Sequence, residues 1–314
     1  MSIVANSLAR AEPATMGTVV DFDALMRLSH LAEGLRATQD ARLTGLPGGF
    51  AHRRHGRGLE VHDLRAWQAG DDPRHIDRNA SARAGELRTR QFRDERDRVL
   101  LLCADFRPCM QFGTRRAFRS VAAAEALALV GWQASAEGGR VGACALAAGD
   151  IAATPAVHGA RPMASVLGLL ARAHAAALGH DAPRDPPLAT LLEAAARLAP
   201  AGATLCVASG CDTLGDGFDA LLCWLSKRNA VRFIIPRDAF EQAPPPGHFP
   251  YVASDGRMGR LSVGRQYGMA EDPRSARLVA HGATAVFLDV GAGPEAYASA
   301  LGALQADATG ARRG

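Results

Sequence analysis

From Val99 onward the chain alternates between apolar runs of strand length and longer stretches of helix length, and this alternation restricts the fold more than any other feature. RVLLLCADF ends at Asp105 and opens into the polar loop RPCMQFGTRR. An Ala-rich helix is predicted over about 117–137, then the strand RVGACALAAGD, the extended piece IAATPAVHG and a helix near 161–178. PPLATLLEAAARL reads as a helix, ATLCVAS as a strand, DALLCWLSKRN as a helix and AVRFIIP as a strand. Strands separated by helices pair in parallel, and a parallel sheet needs both faces covered. The expectation is an α/β fold with a mostly parallel sheet between two helical layers.

The flanks read differently. Residues 1–20 are expected to be a flexible tail, and 21–38 place Phe22, Leu25, Met26, Leu28, Leu31 and Leu35 near one helical face, with Asp21 or Asp23 as cap. A Gly-rich basic stretch follows. Then LEVHDLRAW and ELRTRQF alternate like strands of a small sheet, around a charged turn, AGDDPRHID. After AVRFIIP come RLSVGRQY as a short strand, a charged helix around 272–281, the strand TAVFLDV and a last helix from about Pro294. The expected segments are 1–20 (tail), 21–98 (helix and β-rich subdomain), 99–240 (α/β domain), 241–305 (strands and helices completing the sheet and flank) and 306–314 (tail).

Composition excludes whole classes. At 48% hydrophobic and 22% charged, the chain is too apolar to be disordered and too poor in Cys for a disulfide scaffold. No apolar run approaches the roughly 20 residues of a membrane-spanning helix, and the N-terminus lacks the apolar core of a secretory signal, so the chain reads as cytoplasmic. The net charge of +4 rests almost wholly on arginine, Lys227 being the only lysine. No Gly-x-Gly-x-x-Gly follows a strand and no Gly-x-x-x-x-Gly-Lys-[Ser/Thr] is present, so neither a dinucleotide site nor a P-loop is expected. The six cysteines form no Cys-x-x-Cys pair, and no cofactor or zinc is expected.

Gly58, Glu60, Leu64, Arg65, the turn Gly70-Asp71-Asp72-x-Arg74-x-Ile76-Asp77, the pair Ala82-Arg83, Glu95-Arg96 and the strand-ending Asp105 form one ordered pattern, with IPRDAFEQAPPPGHF as a later match. This pattern resembles the bacterial family known as domain of unknown function fifty-eight, over about residues 40–305. The resemblance implies a von Willebrand factor A-like fold and work beside a MoxR-type AAA+ ATPase. It also implies a metal-ion-dependent adhesion site, in which Asp-x-Ser-x-Ser after the first strand supplies hard oxygen ligands to Mg²⁺.

At that site the chain departs from the pattern. Asp105 is kept, but Arg107 and Cys109 stand where the two serines belong, and Gly210 follows Ser209 where the family carries Asp, with Asp212 nearby. Thr190 is a candidate for the remaining hydroxyl. A guanidinium brings positive charge to a cation's position and a thiol is a poor Mg²⁺ ligand, so the site (Asp105, Arg107, Cys109, Asp212) is expected to be degenerate, with no metal. The family's Trp after Ile-Asp is Arg78 here.

In an open α/β sheet the crevice lies beyond the carboxyl ends of the strands, where strand order reverses. Two readings of Arg107 are open. Tethered by Asp105, it presents a fixed cation to a partner's carboxylate, with Asp105, Ser209 and Asp212 in the same contact; or it pairs internally and the crevice is inert. On the first reading Arg107→Ala weakens partner capture and leaves the fold stable. Cys109 would be reactive if Arg107 lowered its pKa. Arg65, Asp71, Asp72, Arg74, Asp77 and Arg83 are expected to form a structural ion-pair network pinning the small sheet to the α/β domain; a partner contact or acid–base chemistry are the alternatives. His52, Arg53, Arg54, His55 and Arg57 form a basic loop, read as solvated, as a contact for an acidic partner or as a nucleic-acid contact.

The function expected from the resemblance is non-enzymatic: an adaptor or target-recognition partner of a MoxR-type AAA+ ATPase in assembly or maturation of other proteins. The competing expectations are a hydrolase-like enzyme around Asp105 and nucleic-acid binding through residues 52–57.

Overall fold

The computed structural model describes residues 17–32, 61–68, 73–92, 98–179, 186–252, 257–264 and 272–301, and divides into two units, residues 37–98 and the remainder.

The larger unit is built on a six-stranded sheet. In chain order its elements are α1 (22–32), β3 (Val99–Asp105), α3 (Arg119–Ala136), β4 (Arg140–Ala147), β5 (Asp150–His158), α4 (Ala160–Leu178), α5 (Leu188–Leu198), β6 (Thr204–Ala208), α6 (Phe218–Arg228), β7 (Ala230–Arg237), α7 (Ala239–Gln242), β8 (Gly247–Val252), β9 (Met258–Val263), α8 (Pro273–Ala280), β10 (Thr284–Asp289) and α9 (294–301). The sheet order is β10-β7-β6-β3-β4-β5, parallel except for the edge strand β5. β8 and β9 form a separate antiparallel hairpin.

Period-2 alternation sends Leu100, Leu102 and Ala104 of β3 to one face and Val99, Leu101 and Cys103 to the other. The first face is covered by α1, α3, α4 and α9 through Leu25, Leu127, Leu170 and Tyr297; the second by α5, α6 and α8 through Leu192, Leu222 and Leu278. β3 is buried along its whole length, as a central parallel strand must be. The β4–β5 hairpin turns on Ala148 (φ 51°) and Gly149 (φ 82°), the positive-φ pair of a two-residue turn. This antiparallel return makes IAATPAVHG an edge strand, where Pro155 is tolerated.

Two boundaries differ from the sequence reading. The expected tail over 1–20 is docked from Gly17: the Gly17 carbonyl accepts from Phe118 N, and Val20 is buried with its N–H on His174 Nδ1. The first helix belongs to the α/β unit rather than to the β-rich segment, because Leu25 and Ala32 bury into the core and Trp132 Nε1 donates to the Leu25 carbonyl.

The smaller unit pairs β1 (Val61–Ala66) with β2 (Arg88–Phe92), as the alternation predicts. Between them lies a helix that the sequence reading did not place, α2 (Arg78–Ala84). Asp77 caps it, accepting from Ala80 N, and Gly85 ends it at φ 69°. Among the described residues no helix is long and apolar enough to cross a membrane.

Candidate functional site

Strand order reverses between β3 and β6, so the crevice lies beyond their carboxyl ends, between residues 106–118 and 209–217. Asp105 sits at the mouth and is fully buried. Two residues on, the chain doubles back and Arg107 meets that carboxylate: Nε donates to Oδ1 and Nη2 to Oδ2, each at 2.8 Å. Pro108 and the short 3₁₀ turn it opens (Pro108–Met110) fix this reversal.

A guanidinium has five N–H donors, and here all five have oxygen acceptors. Besides the two on Asp105, Nη1 donates to the carbonyls of Pro186 (3.0 Å) and Thr213 (3.2 Å), and Nη2 to that of Asp212 (2.8 Å). Asp105 Oδ2 also accepts from Ser209 Oγ at 2.6 Å, and Ser209 Oγ accepts from Cys211 N. Cys211 (φ 58°) and Thr213 (φ 44°) both take left-handed backbone, a real strain for a β-branched Thr. That backbone lies in the loop whose 212 and 213 carbonyls bind the guanidinium.

Arg107 is 1% exposed, and Asp105 and Ser209 are fully buried. The expectation that Arg107 presents a fixed cation to a partner is therefore corrected: its donors are spent inside the protein. Asp105 and Ser209 are sealed with it. Of the four expected partner-binding residues only Asp212 reaches solvent, its side chain 40% exposed.

Asp212 opens a second feature that the sequence reading missed. It pairs with Arg119, at the start of α3; Arg119 Nη1 reaches Glu241 (3.1 Å); Glu241 meets Arg274 (3.3 Å); Arg274 holds Asp272 (2.7 Å), which lies 3.8 Å from Arg237. Six charges of alternating sign thus cross the ends of β3, β6 and β7. Burial disfavours the charge on Arg119 and on Arg274, yet their carboxylate partners outweigh it and hold both above the ordinary arginine value. The hydrogen bond from Arg274 keeps Asp272 below the usual carboxylate range. Only Asp238-x-x-Glu241 could have signalled this row from sequence. Asp238 caps α7 in a capping box with Glu241 and also accepts from Thr114 N and Oγ1, tying β7 to the loop after β3.

Gly210 has a steric explanation. A Cβ there would collide with Arg119 Nη2 and Asp212 Oδ2, so the space of the family's carboxylate is already filled by that ion pair. Thr190 lies in the first turn of α5. Cys109 is not activated: burial and then Asp105 push its thiol up, and Arg107 only partly opposes them. Burial likewise pushes Cys211 up to about 12.

In the smaller unit, Asp77 serves as the α2 cap and Arg83 is exposed. Asp71, Asp72, the side chain of Arg65 and the basic loop 52–57 lie outside the described residues.

The strand order, the lone antiparallel edge strand and the crevice between β3 and β6 make the larger unit an α/β domain with a mostly parallel six-stranded sheet. The family model described as "Protein of unknown function DUF58" matches residues 63–250, well over half the chain, and the chain belongs to that family. Among solved structures it is similar to the conserved hypothetical protein BatB from Bacteroides thetaiotaomicron, at 12% identity and TM-score 0.44, over 67% of this chain and 99% of that one. It is also similar to an aerotolerance-related membrane protein from Bacteroides fragilis NCTC 9343 (11%, TM-score 0.42, 67% and 99%). A von Willebrand factor type A protein from Catenulispora acidiphila is a third (11%, TM-score 0.40, 65% and 41%). No curated protein matches the chain.

Proposed function

We propose that the chain is a non-enzymatic protein-interaction module with a degenerate adhesion site, docking its partner without a metal ion. The partner proposed is a MoxR-type AAA+ ATPase, which this chain serves as adaptor or target-recognition subunit in assembly or maturation of other proteins, in the cytoplasm. The observation that carries the metal-free reading is the Arg107 guanidinium, whose five donors fill the oxygen-lined space beside Asp105. These residues do not fit a divalent ion: the fixed positive charge repels it, and the Asp105 carboxylate and the loop carbonyls already have their donor. The same burial argues against a hydrolase at this position, because no reacting atom can approach a carboxylate that is fully buried and paired.

The test is binding between the purified chain and a purified MoxR-type AAA+ ATPase of the same organism, followed by calorimetry with and without EDTA. A complex of unchanged affinity in EDTA is expected. Loss of the complex in EDTA overturns the metal-free reading, and absence of any complex removes the ATPase as partner.

A further inference from the structure

The self-paired row of charges closes the end of the sheet where β3, β6 and β7 finish. The end where those strands begin is built differently. There α5, α6 and α8 lead into β6, β7 and β10, and β5, running antiparallel, finishes with His158 opposite Arg140 at the start of β4. Cations collect on these joints: Arg161 in the first turn of α4, Arg197 in the last turn of α5, and Lys227 and Arg228 in the last turn of α6. All four are exposed, and none pairs with a carboxylate among the described residues. Arg98, Arg140, Glu137 and His158 lie at the same end and have interactions of their own.

Helix electrostatics accounts for only part of this collection. A cation in the last turn of a helix complements the macrodipole, which covers Arg197, Lys227 and Arg228. Arg161 stands at the positive end of α4, where the dipole opposes it.

Apolar side chains are exposed among the cations. Leu198 at the end of α5 is 42% exposed, Trp224, one turn before Arg228, 44%, and Val157 at the end of β5 45%. The Arg228 guanidinium lies over the Trp224 ring, 4.6 Å from its centroid. The Arg228 carbonyl accepts from Gly202 N, and Asn229 Nδ2 donates to the Pro200 carbonyl at 2.7 Å. These bonds hold the ends of α5 and α6 side by side, with Leu198 and Trp224 exposed on them.

Charge and layout together say what meets this end. Exposed Trp and aliphatic side chains set among arginine and lysine suit the boundary between lipid headgroups and acyl chains, where the apolar groups enter and the cations meet phosphate. The strand order β7-β6-β3-β4-β5 puts four strand spacings, roughly 19 Å, between the α6–β7 joint and the β5–α4 joint. The cations are therefore spread singly along the sheet's end rather than converging on one point, which matches a plane of anionic headgroups. A nucleic-acid strand needs successive aromatic platforms. Among the described residues of these joints Trp224 is the only Phe, Tyr or Trp, and Arg228 already covers one face of it.

We propose that this end of the sheet docks peripherally on a membrane of anionic phospholipid, Trp224 and Leu198 entering the headgroup layer and Arg161, Arg197, Lys227 and Arg228 meeting its phosphates. The crevice end then points away from the bilayer, toward a partner protein. This goes beyond the interaction-module reading and does not depend on it.

The test is sedimentation of the full chain with vesicles of phosphatidylcholine containing one third phosphatidylglycerol, against vesicles of phosphatidylcholine alone. Binding to the anionic vesicles only is expected, falling steeply with salt. Each basic residue at such a surface contributes about fivefold in affinity. Lys227→Gln with Arg228→Gln should therefore weaken binding roughly 25-fold, and Arg161→Gln with Arg197→Gln, on two other helices, by a similar factor. Thermal melts of both double variants should match the wild type, because all four side chains are exposed. With brominated acyl chains, tryptophan fluorescence of the bound protein should be quenched, and Trp224→Phe should remove most of that quenching. Equal binding to neutral vesicles, no sedimentation at millimolar lipid, unchanged affinity in both double variants, or quenching that survives Trp224→Phe each overturns the proposal. So does tighter binding of an oligonucleotide through the same four cations.

Discussion

Arg107 and Asp105 meet twice within one reversal of the chain, Nε on Oδ1 and Nη2 on Oδ2 at 2.8 Å, with both side chains almost wholly out of water. A cation supplied by the chain itself differs from one taken from solution, because its attraction for the carboxylate becomes part of folding.

Arg107→Ala therefore acts on stability first, contrary to the sequence expectation of a stable fold with weakened capture. Removing one partner of a buried ion pair leaves an uncompensated charge, and the typical loss is about 3–5 kcal/mol. Urea unfolding of Arg107→Ala and of Asp105→Asn should each show a loss of that order. Arg107→Met combined with Asp105→Leu should lose clearly less than the two single losses summed, because no charge is left stranded. Additive losses would mean that the pair is not coupled.

Opening the site should restore cation binding. Arg107→Ser removes the guanidinium and leaves the Asp105 carboxylate, Ser209 Oγ and the carbonyls of Pro186, Asp212 and Thr213 around one space. These are the hard oxygen donors that Mg²⁺ and Ca²⁺ take. A ligand that binds only the folded state raises stability by about 2.7 kcal/mol at a hundred times its Kd. Millimolar Mg²⁺ or Ca²⁺ should raise the Tm of Arg107→Ser and leave the wild type unchanged. An equal rise in both would show that the guanidinium does not exclude the ion.

How much of this was legible depends on the range of the interaction. The helices and strands of the sheet could be read because each is local: β3 declares itself as seven consecutive buried residues, and α3 and α4 as long small-residue or amphipathic runs. The crevice could be placed because the resembled fold builds it from the loops after its first and fourth strands, here 105–114 and 209–216, and the odd residues at 107, 109 and 210 stood out against the family pattern. What Arg107 does could not be read. Its acceptors lie 79, 105 and 106 positions away, and only the folded loops bring Pro186, Asp212 and Thr213 to it. The same holds for the row from Asp212 to Arg237, whose members come from five separate segments. The miss of α2 is of another kind: Asp77 and Gly85 are ordinary start and stop signals, outweighed by the density of charge around them.

His174 gives the fold an acid-sensitive joint. It is fully buried on α4, its Nδ1 accepts from Val20 N and its Nε2 lies 2.9 Å from Ser120 Oγ, with the Phe106 ring edge-on at 5.2 Å. Burial lowers its pKa from 6.5 to about 4. The unfolded chain then binds the proton more readily than the folded one between these values, so stability is full above about pH 6.5 and falls as pH drops toward 4. The loss is up to about 3 kcal/mol. Urea midpoints at pH 7, 6 and 5 should fall in the wild type and run flatter in His174→Gln; parallel slopes would exclude His174 as the source.

Gly210 tests whether the self-paired crevice and the family's usual carboxylate are mutually exclusive. Any side chain at 210 has to displace Arg119 Nη2 or Asp212 Oδ2. The Arg119 side chain is only 6% exposed, so it cannot simply turn to water. Gly210→Asp should therefore lose about 1.5–3 kcal/mol, the range for losing a hydrogen bond to a charged group, even though it restores the residue that relatives carry. In the Arg107→Ser background the same substitution should cost less in the presence of Mg²⁺, because the new carboxylate then has a cation to bind. If Gly210→Asp is neutral in the wild type, Arg119 and Asp212 do not hold that space, and the charged row is looser than the geometry requires.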